Sequence, residues 1–289
     1  MHSDRPLTID QKADFSGIYD QPDPRPYFRA LGPLDYQIPQ QALPVVQQVL
    51  ARSQRSGRPR QVLDVCCSYG INGALLRYDV DLDQMAAHYS SPESAGLSTE
   101  ELVRADARLY PRSTRRDVPV LGLDASRPAI DYATDVGLMD GGWAEDLEND
   151  EPSAELAAGV ADVGLILCTG GVGYIGAPTF DRVMRQLHEA QDAWLVSFVL
   201  RAFGYDAVAE TLSQYGLVTE EVPDVTFLQR RFADAAEQDA AVRDVLQRGL
   251  DPAGKEADGW FHATCYITRP THEVARTPLS QLLAGAVLP

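Results

Sequence analysis

Two segments of this chain place acidic and small residues directly after apolar, strand-like runs. In the first, VLDV at 62–65 is followed by CCSYGING at 66–73. A strand that turns sharply into a helix exposes backbone N–H groups, and small side chains let a ligand approach them. Asp64 at the end of the strand can bind a cation or a hydrogen-bond donor. The segment therefore predicts a ligand site, although glycine-containing turns also occur in plain α/β cores.

The second segment is VLGLDASRPAIDYA at 120–133, which reads as a buried strand, a turn and a helix. The strand delivers Asp124 to its carboxyl end, where ligands bind in open α/β sheets. A carboxylate in that position can accept both hydroxyl hydrogens of a ribose. Ser126 has the position of a helix N-cap, with Pro128 in the first turn. The alternative is therefore that Asp124 is a loop residue beside the start of the helix.

Strands and helices alternate around these two segments. Strands are predicted at 62–65, 118–124, 160–168 and 193–200, with helices between them, which indicates a parallel sheet covered on both faces. Two later apolar runs, at 225–232 and 261–268, lack the spacing of a parallel crossover. They predict a hairpin-type pair in which one strand is antiparallel to the rest of the sheet.

The segments on either side of the first strand differ from this alternation. The first fifty residues are rich in proline and tyrosine, which predicts irregular structure until about Pro39 and a helix over 40–52. Asp64 and Asp124 are separated by a stretch, about 79–116, that is too long for an ordinary connection. This stretch contains STEE at 98–101, a capping-box pattern, and we expect an inserted helical element ending near Tyr110.

Together the two segments resemble those of the class I S-adenosylmethionine (SAM) dependent methyltransferases. The match is closest in the LDxSxxxIxxA pattern at 123–133, and it continues through WAEDL at 143–147 and LILCTGGVGY at 165–174. The resemblance spans about residues 40–270. It implies SAM as the cofactor, with S-adenosylhomocysteine (SAH) as the product. The implied fold is a doubly wound, mostly parallel, seven-stranded Rossmann-like α/β sheet with a reversed last strand, an N-terminal cap segment and a helical insertion.

The resemblance also implies a set of cofactor-binding residues and a division of the chain. Where the family has glycines in the first turn, this sequence has Cys66 and Ser68. Trp143 is expected either to stack on adenine or to pack in the core. Residues 1–55 would cap the active site, 56–270 would form the SAM-binding domain and 271–289 a tail. The cofactor-binding residues are then Asp64, Cys66, Ser68, Gly70, Asp124, Ala125, Trp143, Glu145, Asp146 and Thr169.

Candidate substrate-binding residues lie in the N-terminal segment and after the fourth and fifth strands. They are Tyr19, Tyr27, Tyr36, Tyr174 and Arg201. A pocket lined in this way suits a small aromatic or polar metabolite. The alternative for the tyrosines is packing of the N-terminal segment onto the domain. Histidines 88, 188 and 262 are candidate bases, but nothing in the sequence assigns a catalytic residue.

Composition limits the partners of the chain. The formal net charge of −17 repels nucleic acids and anionic membranes, and no apolar run is long enough to span a bilayer. The start of the sequence lacks an apolar signal, and the four cysteines form no CxxC pair, so we expect a cytoplasmic protein with reduced thiols. No metal-ligand cluster is recognised, and none is expected. A homodimer is compatible with the sequence.

Three functions follow from these expectations. The leading one is SAM-dependent methyl transfer to an O or N atom of a small-molecule metabolite. The second is a SAM-binding protein of the same fold without methyltransferase activity, with a structural or regulatory role. The third is a nicotinamide-dependent oxidoreductase, which would need a GxGxxG turn that CCSYGI at 66–71 does not supply.

Overall fold

A central sheet of eight strands organises the chain in the computed structural model, which describes residues 16–54, 61–113 and 118–289. The order along the sheet is β3-β2-β1-β4-β5-β8-β6, and β7 also pairs with β8. The strands are β1 (Gln61–Val65), β2 (Val120–Asp124), β3 (Gly141–Ala144), β4 (Val163–Thr169), β5 (Trp194–Leu200), β6 (Leu217–Glu221), β7 (Phe227–Arg231) and β8 (Trp260–Pro270).

The direction of the strands confirms the predicted α/β architecture. Strands β1 to β5 are mutually parallel, whereas β8 runs antiparallel to β5, β6 and β7. The mostly parallel sheet with a reversed last strand is therefore confirmed, as is the late pair formed by β7 and β8. The expected number of seven strands is wrong, because β6 was not predicted. Its sequence LVTEE is only partly buried and has no apolar run.

Side chains of the strands alternate between two apolar cores, one on each face of the sheet. On β4, Leu165 and Leu167 belong to one core, and Ile166 belongs to the other. This period of two is what a strand buried on both faces requires. The helices that cover the faces are α3 (Ile38–Gln54), α4 (Ile71–Arg77), α8 (Arg127–Asp135), α9 (Ala154–Val160), α10 (Ala177–Met184) and α11 (Asp206–Ser213).

The N-terminal segment is helical where the proline content predicted irregular structure. It contains α1 (Ser16–Tyr19) and α2 (Arg25–Leu31), and α3 begins at Ile38. The expectation was wrong because a proline in the first turn of a helix costs no backbone hydrogen bond, and α2 has its proline there. Residues 1–15 and 55 of the predicted N-terminal cap lie outside the described residues.

The stretch between β1 and β2 is largely helical, with α5 (Leu82–Tyr89), α6 (Pro92–Ala95) and α7 (Thr99–Leu109). The predicted capping box is confirmed: the Glu101 N–H donates to Ser98 Oγ at 3.2 Å, and the Ser98 N–H donates to the Glu101 carboxylate at 2.9 Å. Asp106, fully buried in α7, bonds to His88 Nε2 at 2.7 Å. Residues 114–116 of the predicted insertion lie outside the described residues.

A buried ion pair holds the late part of the sheet together. Arg230 on β7 donates to both carboxylate oxygens of Glu237, at 2.9 and 2.6 Å, and both side chains are almost fully buried. Glu237 lies in the first turn of α12 (Ala235–Gln247). The chain then ends in β8 followed by α13 (Thr271–Arg276) and α14 (Leu279–Leu282). The ion pair therefore fixes β7 to the helix that connects it to β8.

Replacing Glu237 with alanine is expected to lower the free energy of unfolding by about 3–5 kcal/mol, because it leaves a buried guanidinium without its carboxylate. Urea unfolding measures the change. The matched control is Glu151→Ala, which removes the exposed carboxylate that pairs with Arg182 and Arg185 and should cost far less. Equal losses in the two variants would show that the Arg230–Glu237 pair does not stabilise this part of the sheet.

Candidate functional site

A pocket of about 410 Å³ opens at the carboxyl ends of β1, β2 and β4. β2 pairs with one edge of β1 and β4 with the other, so the strand order reverses at β1. Open α/β sheets bind ligands at such a point. The structure brings many of the predicted site residues together here. The lining includes the predicted cofactor-binding residues Cys66, Ser68, Asp124, Ala125 and Thr169 and the predicted substrate-binding residues Tyr19, Tyr27, Tyr36 and Tyr174.

The turn between β1 and α4 has a left-handed backbone at three positions. The φ angles are 58° at Cys66, 48° at Ser68 and 80° at Gly70. Only glycine adopts this conformation without cost, so two of the three positions carry a strained side chain. Gly70 does not line the pocket: it precedes α4, and a Cβ there would lie 3.0 Å from Ala133 Cβ on α8. The turn is therefore compact and strained where it meets the pocket.

Asp124 is held at the pocket by two backbone donors. One carboxylate oxygen accepts from the Ser68 N–H and the other from the Ser126 N–H, both at 2.9 Å. Burial raises the pKa of Asp124 above its ordinary value, although these backbone hydrogen bonds act in the opposite direction. Each oxygen still has a lone pair free to accept from a ligand. The carboxylate is thus oriented, with acceptor capacity left over.

Asp64 lies behind the pocket wall. It is completely buried, and Asn72 Nδ2 donates to both of its oxygens at 3.0 and 3.1 Å. The same Asn72 amide donates to Thr169 Oγ1 at 2.9 Å, and Asn72 and Thr169 both line the pocket. Burial raises the pKa of Asp64 to about 8. Asp64 therefore contacts the pocket through Asn72 rather than directly.

Trp143, Glu145 and Asp146 do not line the pocket. The Trp143 indole packs over Gly159 of α9, where an added Cβ would lie 2.1 Å from the ring. Glu145 accepts from the backbone and the hydroxyl of Ser153, at 2.9 and 2.6 Å. The Asp146 side chain accepts from nearby residues of its own turn. In this arrangement the three side chains organise the connection from β3 to α9.

The N-terminal segment covers the pocket and is tied to its rim. Tyr69 donates to the carbonyl of Gln21 and accepts from the Gln21 N–H, at 2.9 and 3.0 Å. Ser126 Oγ donates to the carbonyl of Tyr19 at 2.6 Å. The Tyr27 ring packs edge-on against Tyr19 and Tyr36, with centroids 5.7 and 5.9 Å apart. The tyrosines therefore both pack the segment onto the domain and line the cavity beneath it.

Arg201 is engaged elsewhere. Its buried guanidinium pairs with Glu256 at 2.5 Å and donates to the carbonyl of Asp251 at 2.8 Å, and it does not line the pocket. The nearby His262 has its pKa lowered to about 4 by burial and by Arg201. His188 is 71% exposed beside Asp162. Neither histidine lines the pocket, and His88 is bonded to Asp106 in the insertion.

Several pocket residues were not predicted, and the pocket contains two polar atoms without partners. Within the described residues, Ser68 Oγ and Gln229 Oε1 are buried and have no hydrogen-bond partner. Buried polar atoms are usually paired, so such atoms at a cavity wall favour a ligand. The glycine-rich sequence at 169–173 could have indicated Gly170 and Gly171, whereas no sequence pattern indicated Gln229 on β7. The pocket residues missed include Asn72, Ser126, Gly170, Gly171 and Gln229.

Within the described ranges there is no group of three or more His, Cys, Asp or Glu side chains that could hold a metal ion. Across the same ranges, no helix combines the length and apolar character needed to cross a membrane.

No protein-family model matches the sequence, and no curated protein matches it either. Several of the similar solved structures are SAM-dependent methyltransferases. A TehB-like SAM-dependent methyltransferase from Corynebacterium glutamicum is 17% identical, with 76% of this chain and 86% of that one covered and a TM-score of 0.38. The plantazolicin methyltransferase BpumL, in complex with SAH, is 10% identical, with 88% of both chains covered and a TM-score of 0.38.

Magnesium protoporphyrin IX methyltransferase from Synechocystis, with bound SAM, is 11% identical, with 78% of this chain and 77% of that one covered and a TM-score of 0.33. A structure described as the [4+2]-cyclase SpnF is also similar, at 11% identity, with 78% and 80% covered and a TM-score of 0.38. Identities and TM-scores this low carry no conclusion about function. The fold assignment rests on the strand order and directions of this chain itself.

Replacing Ser68 with glycine is expected to raise the free energy of unfolding by about 1 kcal/mol, because glycine removes the cost of the left-handed backbone. Ser68→Ala is the matched control: it also removes the unpaired hydroxyl but keeps the Cβ that causes the strain. Urea unfolding of both variants measures the difference. Equal stabilities for the two would show that the turn is not strained at this position.

Asp64 is expected to make stability depend on pH. Because its pKa is about 8 in the folded chain and about 3.9 when unfolded, the folded state holds the proton more tightly. This contribution is fully present below about pH 4 and is lost as the pH rises through about 8, at roughly 1 kcal/mol per unit. Urea unfolding at several pH values should therefore show a steeper decline for wild type than for Asp64→Asn. Parallel declines would contradict the raised pKa.

Proposed function

We propose that this chain binds SAM in the pocket at the carboxyl ends of β1, β2 and β4 and transfers its methyl group to an O or N atom of a small molecule. The observation that carries the proposal is Asp124: a carboxylate at the end of β2, held by two backbone N–H groups, with free acceptor capacity facing a cavity. A carboxylate so placed suits the two hydroxyls of a ribose.

The size and charge of the pocket support this ligand. Its volume of about 410 Å³ falls within the range of small-molecule sites, roughly 300–1,000 Å³. Among the described lining residues, Asp20 and Asp124 are the acidic ones, and no lysine or arginine is present. SAM fits such an environment because its sulfonium and ammonium groups outweigh its single carboxylate, whereas a phosphate ligand would be repelled. We assign the ribose to Asp124 and the methionine portion to the turn that carries Ser68.

When bound, SAM supplies an activated methyl group for an in-line displacement. The part of the chain in such a reaction is to position the acceptor and exclude water. Tyr19, Tyr27 and Tyr36 lie over the cavity and suit both tasks. We therefore propose that the N-terminal segment 1–55 caps a SAM-binding domain at 56–270, and that 271–289 forms a tail.

A small-molecule acceptor fits this arrangement better than a nucleic acid. The N-terminal segment covers the cavity through hydrogen bonds to Tyr69 and Ser126, and the chain carries a formal charge of −17. All four cysteines are free, which fits a reducing compartment such as the cytoplasm. We extend the proposal to a cytoplasmic protein that acts on a small metabolite, with a homodimer as a compatible assembly.

A second function, SAM binding without methyl transfer, is favoured by one observation. Cys66 and Ser68 occupy left-handed positions where glycine would be unstrained, and their side chains take up room beside the pocket. A turn altered in this way can still hold a ligand while placing the methyl group unproductively. The two functions share the binding step and differ only in turnover.

Calorimetric titration with SAM and with SAH is expected to show binding to the wild-type chain. Asp124→Asn should weaken the affinity by about 10- to 100-fold, because it removes a charged hydrogen-bond acceptor. Asp150→Asn, at an exposed loop position, is the matched control and should bind as wild type does. The absence of binding to folded wild-type protein would contradict both functions.

Turnover separates the two functions. Incubation with methyl-labelled SAM and pooled small-molecule extracts is expected to give SAH together with a labelled product. Binding of SAM without SAH formation across fractions rich in amines and alcohols would favour the non-catalytic function.

A further inference from the structure

Strand β7 contains a bulge at Gln229. Leu228 pairs with His262 on β8, and Arg230 pairs with the next residue along β8, Phe261. Gln229 therefore has no partner residue on β8. An extra residue of this kind bends the strand and redirects its side chain, and such bulges are frequent beside active sites.

The backbone and the neighbours of Gln229 hold it in place. Its carbonyl accepts from the Gln37 N–H at 2.8 Å, a bond that joins β7 to the chain entering α3. The next residue, Arg230, is fixed by its buried pair with Glu237. The side chain of Gln229 thus extends from an anchored piece of backbone to the wall of the pocket.

The side-chain amide of Gln229 is buried, and its oxygen is unused. The residue is only 4% exposed, it lines the pocket, and Oε1 has no donor among the described residues. The amide lies near Gly170, where an added Cβ would be 3.7 Å from Nε2. A buried acceptor in the wall of a cavity that has no protein donor is suited to a donor on a ligand that enters the cavity.

Gln229 and Asp124 stand at opposite ends of the site. Asp124 lies on β2. Along the sheet, β2 is followed by β1, β4, β5 and β8, and β7, which carries Gln229, pairs with β8. If the ribose is bound at Asp124, Gln229 is separated from it by the width of the strands between them. Tyr36 and Tyr174 line the same pocket, and Tyr36 precedes Gln37, whose N–H donates to the Gln229 carbonyl.

We propose that Gln229 Oε1 accepts a hydrogen bond from an N–H or O–H group of the methyl acceptor and so selects amines and alcohols that carry an aromatic group. This inference rests on the proposed function and assigns the substrate class of the same pocket. The aromatic preference follows from the tyrosine lining, and the exclusion of anions follows from the carboxylates of Asp20 and Asp124.

The test compares three aromatic probes of equal size on the SAH-loaded protein: phenol and aniline, which carry donors and are uncharged at neutral pH, and toluene, which carries none. Dissociation constants are measured by NMR titration for wild type and for Gln229→Met, which keeps the length of the side chain without its amide. The preference for phenol and aniline over toluene should fall by about 10-fold or more in Gln229→Met. SAH affinity should remain within about 3-fold of wild type, a change well under 1 kcal/mol, because Gln229 is assigned to the acceptor and not to the cofactor.

Two further variants sharpen the result. Gln186→Met changes a glutamine of the α10–β5 connection outside the pocket and should keep the wild-type preference. Gln229→Glu retains an acceptor and should keep the preference for donor-bearing probes. If Gln229→Met does not fold, Gln229→Asn, which withdraws the amide from the pocket, takes its place.

A preference that is the same in wild type and Gln229→Met would overturn the inference. A loss of SAH affinity as large as the loss of phenol affinity would also overturn it, because Gln229 would then belong to the cofactor site. The proposed function fails separately, if wild type does not bind SAH. In that case the probe comparison on the unliganded protein still decides whether Gln229 recognises a donor.

Discussion

The carboxylate of Asp124 joins the parts of the site to one another. It accepts from the Ser68 N–H in the turn after β1 and from the Ser126 N–H at the start of α8, so it fixes two chain reversals at once. Ser126 in turn donates to the carbonyl of Tyr19 in the N-terminal segment. The turn, the helix start and the cover of the pocket are therefore all positioned, directly or through one further bond, by a single side chain.

This arrangement makes the ionisation of two buried acids unfavourable. Asp64 and Asp124 are both removed from water, and each has a pKa above its ordinary value because of burial, with the Asp124 charge raising the pKa of Asp64 further. A chain with a net charge of −17 offers little relief, and no lysine or arginine is among the described residues that line the pocket. A bound cation would stabilise the Asp124 carboxylate, so the electrostatics of the pocket and the proposed sulfonium ligand point in the same direction.

The fold and one end of the site were predictable from the sequence because local patterns determine them. Apolar runs give β1, β2, β4 and β5, and the acid at the end of β2 gives Asp124. Sequence patterns were not sufficient where tertiary contacts decide. They left Trp143 open between adenine and the core, and it packs on Gly159. They placed Arg201 at the pocket, whereas its guanidinium pairs with Glu256, a partner 55 residues away. Strand β6 was missed because a partly exposed edge strand needs no apolar run.

The other end of the site depends on the late strands, whose positions follow from contacts distant in sequence. Strand β8 pairs antiparallel with β5 on one side and with β7 on the other, which brings β7 near the pocket. The bulge in β7 places Gln229 at the pocket wall. Tyr27 and Tyr36 line this pocket and also a second cavity of about 600 Å³, whose rim includes Asp35 and Arg231. Arg231 lies two residues beyond Gln229 and pairs with Asp35 at 2.6 Å. The strand that carries Gln229 therefore also contacts the N-terminal segment, so the proposed recognition of an acceptor and the cover of the site involve the same few residues of β7.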